Sequence, residues 1–138
     1  MAIARSTRKL VERALTRREA VGRAALAEAL QAQSARAAEV ARQVEAIARE
    51  QALAATVADP RLLNPAWRTL AGTRLEAARA ATAAAEAACD TRREALADTR
   101  RTLRGFDALM TQQDAEAARA AARRDPLATL MLLPRPPA

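Results

Sequence analysis

The chain has 138 residues, a net charge of +7 and aromatic side chains at only 1% of its positions. With one Trp, one Phe and no Tyr, it lacks the large side chains from which a thick globular core draws its buried area. It has no histidine, one cysteine (Cys89) and three glycines, which excludes an internal disulfide, a Cys- or His-rich metal site and a glycine-rich phosphate loop.

Alanine is the commonest residue and the best helix former, yet it buries little apolar surface. The composition therefore favours long, thinly packed helices. The first is expected over about residues 2–58. Its start, Met1 to Arg8, has no apolar stretch of the kind a secretory signal needs, and a cytoplasmic protein is expected. Basic residues crowd this end: Arg5, Arg8, Lys9, Arg13, Arg17, Arg18 and Arg23 stand against Glu12 and Glu19 alone. From Leu26 onward an apolar seam runs through Leu30, Gln33, Ala37, Val40, Val44 and Ile47, with spacings that alternate four and three. Upstream, Leu10, Val11, Leu15 and Val21 fit no single heptad phase, and Gly22 interrupts them.

The stretch Asp59-Pro60-Arg61-Leu62-Leu63-Asn64-Pro65 ends the first helix, because proline removes a backbone donor and restricts the residue before it. A turn is expected over 59–64. Asn64 then caps a second helix whose first position is Pro65, predicted over about residues 65–125. Its seam is Leu75, Ala78, Thr82, Ala85, Cys89, Arg92, Leu96, Thr99, Leu103, Phe106, Met110, Gln113, Ala117 and Ala120. The three-four alternation is that of a left-handed coiled coil. Two helices of about 55–60 residues, at 1.5 Å per residue, need a partner along their length. Folding about a turn near Arg61 sets Ile47 against Leu75, Ala37 against Ala85 and Leu26 against Leu96. The expected fold is all-α: a long antiparallel two-helix coiled-coil hairpin over 1–125. A short irregular tail, apolar from Leu127 to Leu133 and then Pro-rich, occupies 126–138. The longest apolar run is about seven residues where a membrane span needs about 20, so no membrane insertion is expected.

No arrangement of residues carries chemistry. Cys89 falls on the seam with neither a His nor a second Cys to activate it. Pairs such as Glu76 with Glu86, or Asp107 with Asp114, lie along helix surface with no cleft to perturb them. The chain reads as a non-enzyme with no cofactor, no metal and no small-molecule substrate. Its candidate sites are for partners. In an antiparallel hairpin Arg5, Arg8, Arg13, Arg17 and Arg18 come near Arg119, Arg123 and Arg124, with Arg100, Arg101 and Arg104 close by. One reading is a solvated face laced with i,i+4 pairs such as Arg8–Glu12. The other is an electropositive end that docks on an acidic protein or on nucleic acid. Nucleic acid is the less favoured of these, because no aromatic platform and no helix-turn-helix or zinc-finger spacing is present. Trp67 is expected to anchor the turn beside Leu62, Leu63 and Leu70.

A helical hairpin with basic, joined termini, an Asn64-Pro65-Ala66-Trp67 entry into the second helix and a second helix that continues past Gly105-Phe106 resembles the FliJ/YscO family. Those are stalk proteins of flagellar and related type III protein export machines, and the resemblance covers nearly the whole chain. It implies a cytoplasmic protein, peripheral at the base of a membrane export apparatus, whose basic end enters the ring of a hexameric export ATPase. It also implies contact with an export-gate membrane protein and with export chaperones. By spacing, Gln43 and Ile47 match the gate-contacting Gln and Leu of the family, and Ala80 matches the second-helix part of that patch. Glu50 and Ala54 stand where the family has aromatic residues. The alternatives of another class are a basic helical protein that binds nucleic acid and a generic coiled-coil scaffold or cargo chaperone.

Overall fold

The computed structural model describes residues 3–57 and 65–125. It is all-α: α1 spans Arg5–Thr56 and α2 spans Ala66–Arg124, two long helices packed against each other as a helical hairpin. Both bounds fall within a few residues of those expected. At the start of α1 the Arg8 amide donates to the Ala4 carbonyl at 2.9 Å, and at its end the Val57 amide reaches the Ala54 carbonyl at 3.3 Å. Before α2 the Arg68 amide donates to the Pro65 carbonyl at 3.1 Å, in keeping with proline at a helix start. The expected turn over 59–64, with the Asn64 cap, Leu62 and Leu63, and the expected tail over 126–138 lie outside the described residues.

The chain divides into two compact units, one made of Met1–Arg18 with Asp98–Ala138 and the other of Glu19–Ala97. In the first, α2 supplies most of the buried side chains. Met110 is 2% exposed, Thr99 is buried, and Leu103, Phe106 and Gln113 are half-buried. Val11 and Leu15, apolar residues that fitted no single phase in the sequence, are half-buried from the α1 side. An ion pair ties the helices here: Arg8 Nη1 lies 2.9 Å from Asp114 Oδ2.

In the second unit the seam of α2 falls where its heptads put it. Leu75, Ala78, Thr82 and Ala85 are half-buried, and Cys89 and Leu96 are buried. The Thr82 hydroxyl is satisfied within its own helix, donating to the Ala78 carbonyl at 3.0 Å. Arg92, also expected on the seam, is exposed, since a guanidinium keeps its water where no carboxylate faces it. Ala117 and Ala120 of the first unit, the last expected seam positions, are exposed too.

The seam of α1 corrects half of the expected one. Leu26, Gln33, Val40 and Ile47 are half-buried as expected, but Leu30 and Val44 are 40% and 46% exposed and Ala37 is exposed. The alternate positions are one residue earlier, at Gly22, Ala29 and Gln43, all half-buried. Gly22 shows the reason. A Cβ placed on it would lie 3.3 Å from Leu96 Cδ1 and 3.9 Å from Leu96 Cβ. The side chain of Leu96 thus fills the space that Gly22 leaves empty. Small residues let two helix backbones approach, and that approach decides the phase over the larger apolar area of Leu30 and Val44. Leu96 lies directly against Gly22, one helical turn before Leu26, the residue expected opposite it.

Candidate partner-binding surfaces

The eight arginines singled out in the sequence, Arg5, Arg8, Arg13, Arg17, Arg18, Arg119, Arg123 and Arg124, all belong to the first unit. That unit holds 13 of the 23 basic residues and 6 of the 16 acidic ones, whereas Glu19–Ala97 holds ten of each. The whole net charge of +7 is therefore carried by the unit in which the start of α1 and the end of α2 meet.

Arg8 stands apart from the other seven. Its Nε lies 3.1 Å from Glu12 Oε1, the i,i+4 pair expected from the sequence, and its Nη1 donates to both oxygens of Asp114 at 3.1 and 2.9 Å. The hydrogen bonds to Asp114 first, and to Glu12 second, hold the guanidinium above its ordinary pKa. Through the Asp114 bonds Arg8 ties the two helices together. Arg5, Arg13, Arg17, Arg18, Arg119, Arg123 and Arg124 are exposed. At the end of α2, Arg123 and Arg124 lie in the last turn, where cations complement the helix dipole. At the start of α1 the first turn has no acidic residue, so its cations work against that dipole.

The second unit balances its charges, and it has ion pairs within single turns of one helix, as the first unit has in Arg8–Glu12 and Arg101–Asp98. Arg42 Nη2 lies 2.6 Å from Glu39 Oε2, Arg49 pairs with Glu45, and Arg93 Nη1 lies 3.1 Å from Asp90 Oδ1. Gln43 Nε2 donates to the other Glu39 oxygen at 2.8 Å. Hydrogen bonds from Gln43 and then Arg42 hold the Glu39 carboxyl below its ordinary pKa.

This unit also has a groove of about 350 Å³, lined by Gln43, Ala46, Ile47, Glu50, Trp67, Leu70, Ala71 and Arg74. It brings together Gln43 and Ile47, two of the three expected gate-contact residues, with Trp67, the expected turn anchor. Ala80, the third, is exposed and outside it. Ile47 is grouped here with Leu70 and Ala71, not with the expected Leu75, which agrees with the register seen at Gly22. Trp67 is half-buried against this groove, and the Arg68 guanidinium carbon sits 5.9 Å from its ring centroid. Of the residues expected beside Trp67, Leu70 is there and is half exposed. The sequence reading missed Glu50 and Arg74 as the groove's charged rim. The signal for Glu50 was the three-four series 40, 43, 47, 50, which passes through polar residues and so loses to the more apolar Val44; Arg74 had none.

Among the described residues no group of three or more His, Cys, Asp or Glu side chains is placed to hold a metal ion, and no helix is long and apolar enough to cross a membrane. No protein-family model, no curated protein and no solved structure matches this chain.

Proposed function

We propose that this chain is a non-enzymatic coiled-coil stalk of a type III protein export apparatus of flagellar type. It works in the cytoplasm at the base of that apparatus, with its arginine-rich end in the ring of the export ATPase. The observation that carries the reading is the segregation of charge: one unit holds the whole net charge, and the other balances ten basic residues against ten acidic ones. A solvated helix surface has no need of such a division. A ring of subunits that presents carboxylates toward its axis would attract one end of a hairpin and leave the rest indifferent, and complementary charge of this kind raises association rates and fixes orientation. The Trp67 groove, with Gln43 and Ile47, is then the surface for the export-gate protein. Export chaperones are further partners. The chain supplies position to the ATPase and no chemistry of its own.

The test is the ATPase rate of the export enzyme as the hairpin is titrated in. The wild-type chain should stimulate by favouring ring assembly, and a variant with Arg119, Arg123 and Arg124 changed to Glu should stimulate much less. The gap should narrow with added salt, since exposed charges are screened beyond about 8–10 Å at physiological ionic strength. Equal stimulation by both chains would remove the arginine-rich end from the mechanism. Tight binding to a duplex DNA fragment with no effect on the ATPase would instead favour the nucleic-acid reading.

A further inference from the structure

Four cations form a row of fixed spacing at the start of α1. Arg5, Lys9, Arg13 and Arg17 recur at every fourth residue, so each stands about 6 Å further along the helix than the last. All four are exposed, and none has an ion pair among the described residues, in contrast to Arg8, Arg42, Arg49, Arg93 and Arg101. The row winds about 40° per step around α1, from the flank of the packed side at Arg5 to the side opposite it at Arg13 and Arg17. Arg13 is two residues from each of the half-buried Val11 and Leu15, and at about 100° per residue it points roughly opposite both. Like charges at i,i+4 repel on a helix, and cations at a helix start oppose its dipole. The row thus works against the helix that carries it, and an anionic partner would relieve both costs. Set in this face is Leu10, 65% exposed and seven residues from Arg17, so it stands over nearly the same line of the helix.

We propose that this face adsorbs to an anionic membrane surface. Lipid phosphates neutralise Arg5, Lys9, Arg13 and Arg17, and the Leu10 side chain enters the boundary between headgroups and acyl chains. Four or more cations on one helix face with an apolar side chain among them is the composition of a surface-bound helix. Such contact is peripheral, in keeping with the lack of a membrane-crossing helix among the described residues. Leu10 decides between lipid and nucleic acid. A phosphodiester backbone offers nothing apolar at the level of its charges, whereas the headgroup boundary does. The row also lies on the outward side of one helix, where a flat surface can meet it. The proposal needs only the first unit and stands whether or not the chain serves an export ATPase.

The experiment is flotation of the full chain with phosphatidylcholine vesicles, either pure or with a quarter phosphatidylglycerol. The chain should float with the anionic vesicles and stay behind with the neutral ones. Changing Arg5, Lys9, Arg13 and Arg17 to Gln should weaken anionic binding at least about tenfold. Removing as much charge from the second unit, with Arg23, Arg36, Arg79 and Arg92 changed to Gln, should weaken it by less than about twofold, because the row and not the net charge makes the contact. Leu10→Gln should weaken it severalfold, and that loss should persist when salt has screened the charges. Circular dichroism checks that each variant keeps its helices. Equal weakening by the two fourfold variants would overturn the proposal, as would binding to the neutral vesicles. A Leu10→Gln chain that binds as the wild type does, with tighter binding to duplex DNA than to vesicles, would assign the row to nucleic acid instead.

Discussion

The two units of this hairpin use the same pair of helices for different ends. In Met1–Arg18 with Asp98–Ala138 the seam has larger side chains, Leu103, Phe106 and Met110, and the surface carries the whole net charge. In Glu19–Ala97 the seam sets small residues, Gly22, Ala29, Ala78, Ala85 and Cys89, among Leu26, Val40, Ile47, Leu75 and Leu96, and acidic and basic residues balance. Bulk at the seam offsets the repulsion that a concentration of cations brings to one end of the chain. Where charge is balanced, the helices come close at Gly22, with the Leu96 side chain in the space that the glycine leaves. The difference teaches that the two units are set apart by charge more than by the bulk of their seams.

The sharpest way to break this account is to test the close approach itself. With Cys89 changed to Ala, cysteines at Gly22 and Leu96 should form an intrachain disulfide readily, because a Cβ at Gly22 would lie 3.9 Å from that of Leu96, inside the range of about 3.5–4.5 Å that disulfides need. Cysteines at Leu26 and Leu96 should crosslink poorly. A faster Leu26–Leu96 product on non-reducing gels would restore the register read from the heptads and sink the small-residue account.

Next in size is truncation of the bulky seam. Met110→Ala should cost about 2–3 kcal/mol, toward the low end for a core methionine because a two-helix seam collapses easily. Phe106→Ala, at a half-buried position, should cost less than Met110→Ala. Urea midpoints measure both, and an unchanged midpoint for Met110→Ala would deny the first unit its stabilising bulk.

The glycines give a smaller effect with a sign that depends on position. A Cβ at Gly72 or Gly105 meets nothing within 4 Å. Alanine there should stabilise by about 0.5–1 kcal/mol through helix propensity alone. Gly22→Ala should gain less than either, or lose, because its methyl would press on Leu96. Thermal melts of the three variants rank them, and Gly22→Ala as the most stable would contradict the packing.

The smallest effects are ionic. Arg8→Gln should lower the melting temperature slightly at low salt and not at all at high salt, since an exposed pair is readily screened. Because the carboxyl of Glu39 titrates below its ordinary range in the folded chain, its contribution is fully present above the unfolded carboxylate pKa and is lost as pH falls through the lower, folded value. Melting temperature between neutral and acid pH should therefore fall less for Glu39→Gln than for wild type. Identical acid limbs would show that Gln43 and Arg42 do not hold this carboxylate in solution.

Much of the architecture could be read from the chain alone. The prolines at 60 and 65 with the Ala-rich composition determine two helices, and the unbroken heptads of α2 determine which of its faces is buried, from Leu75 to Gln113. Both follow from local rules, the one steric and the other periodic. The crowding of arginine at the two helix ends was equally visible. Its confinement to one compact unit depended on the antiparallel return of α2. Tertiary structure alone decided the phase of α1, the contact of Gly22 with Leu96, the groove at Trp67 and the pairing of Arg8 with Asp114. In each case a pattern of apolar residues competes with a distance. Leu30 and Val44 offer more apolar area than Ala29 and Gln43, but area is gained only against a neighbour. Which residues have one is set by how closely two backbones can approach at Gly22, a property of the pair of helices that neither helix carries by itself.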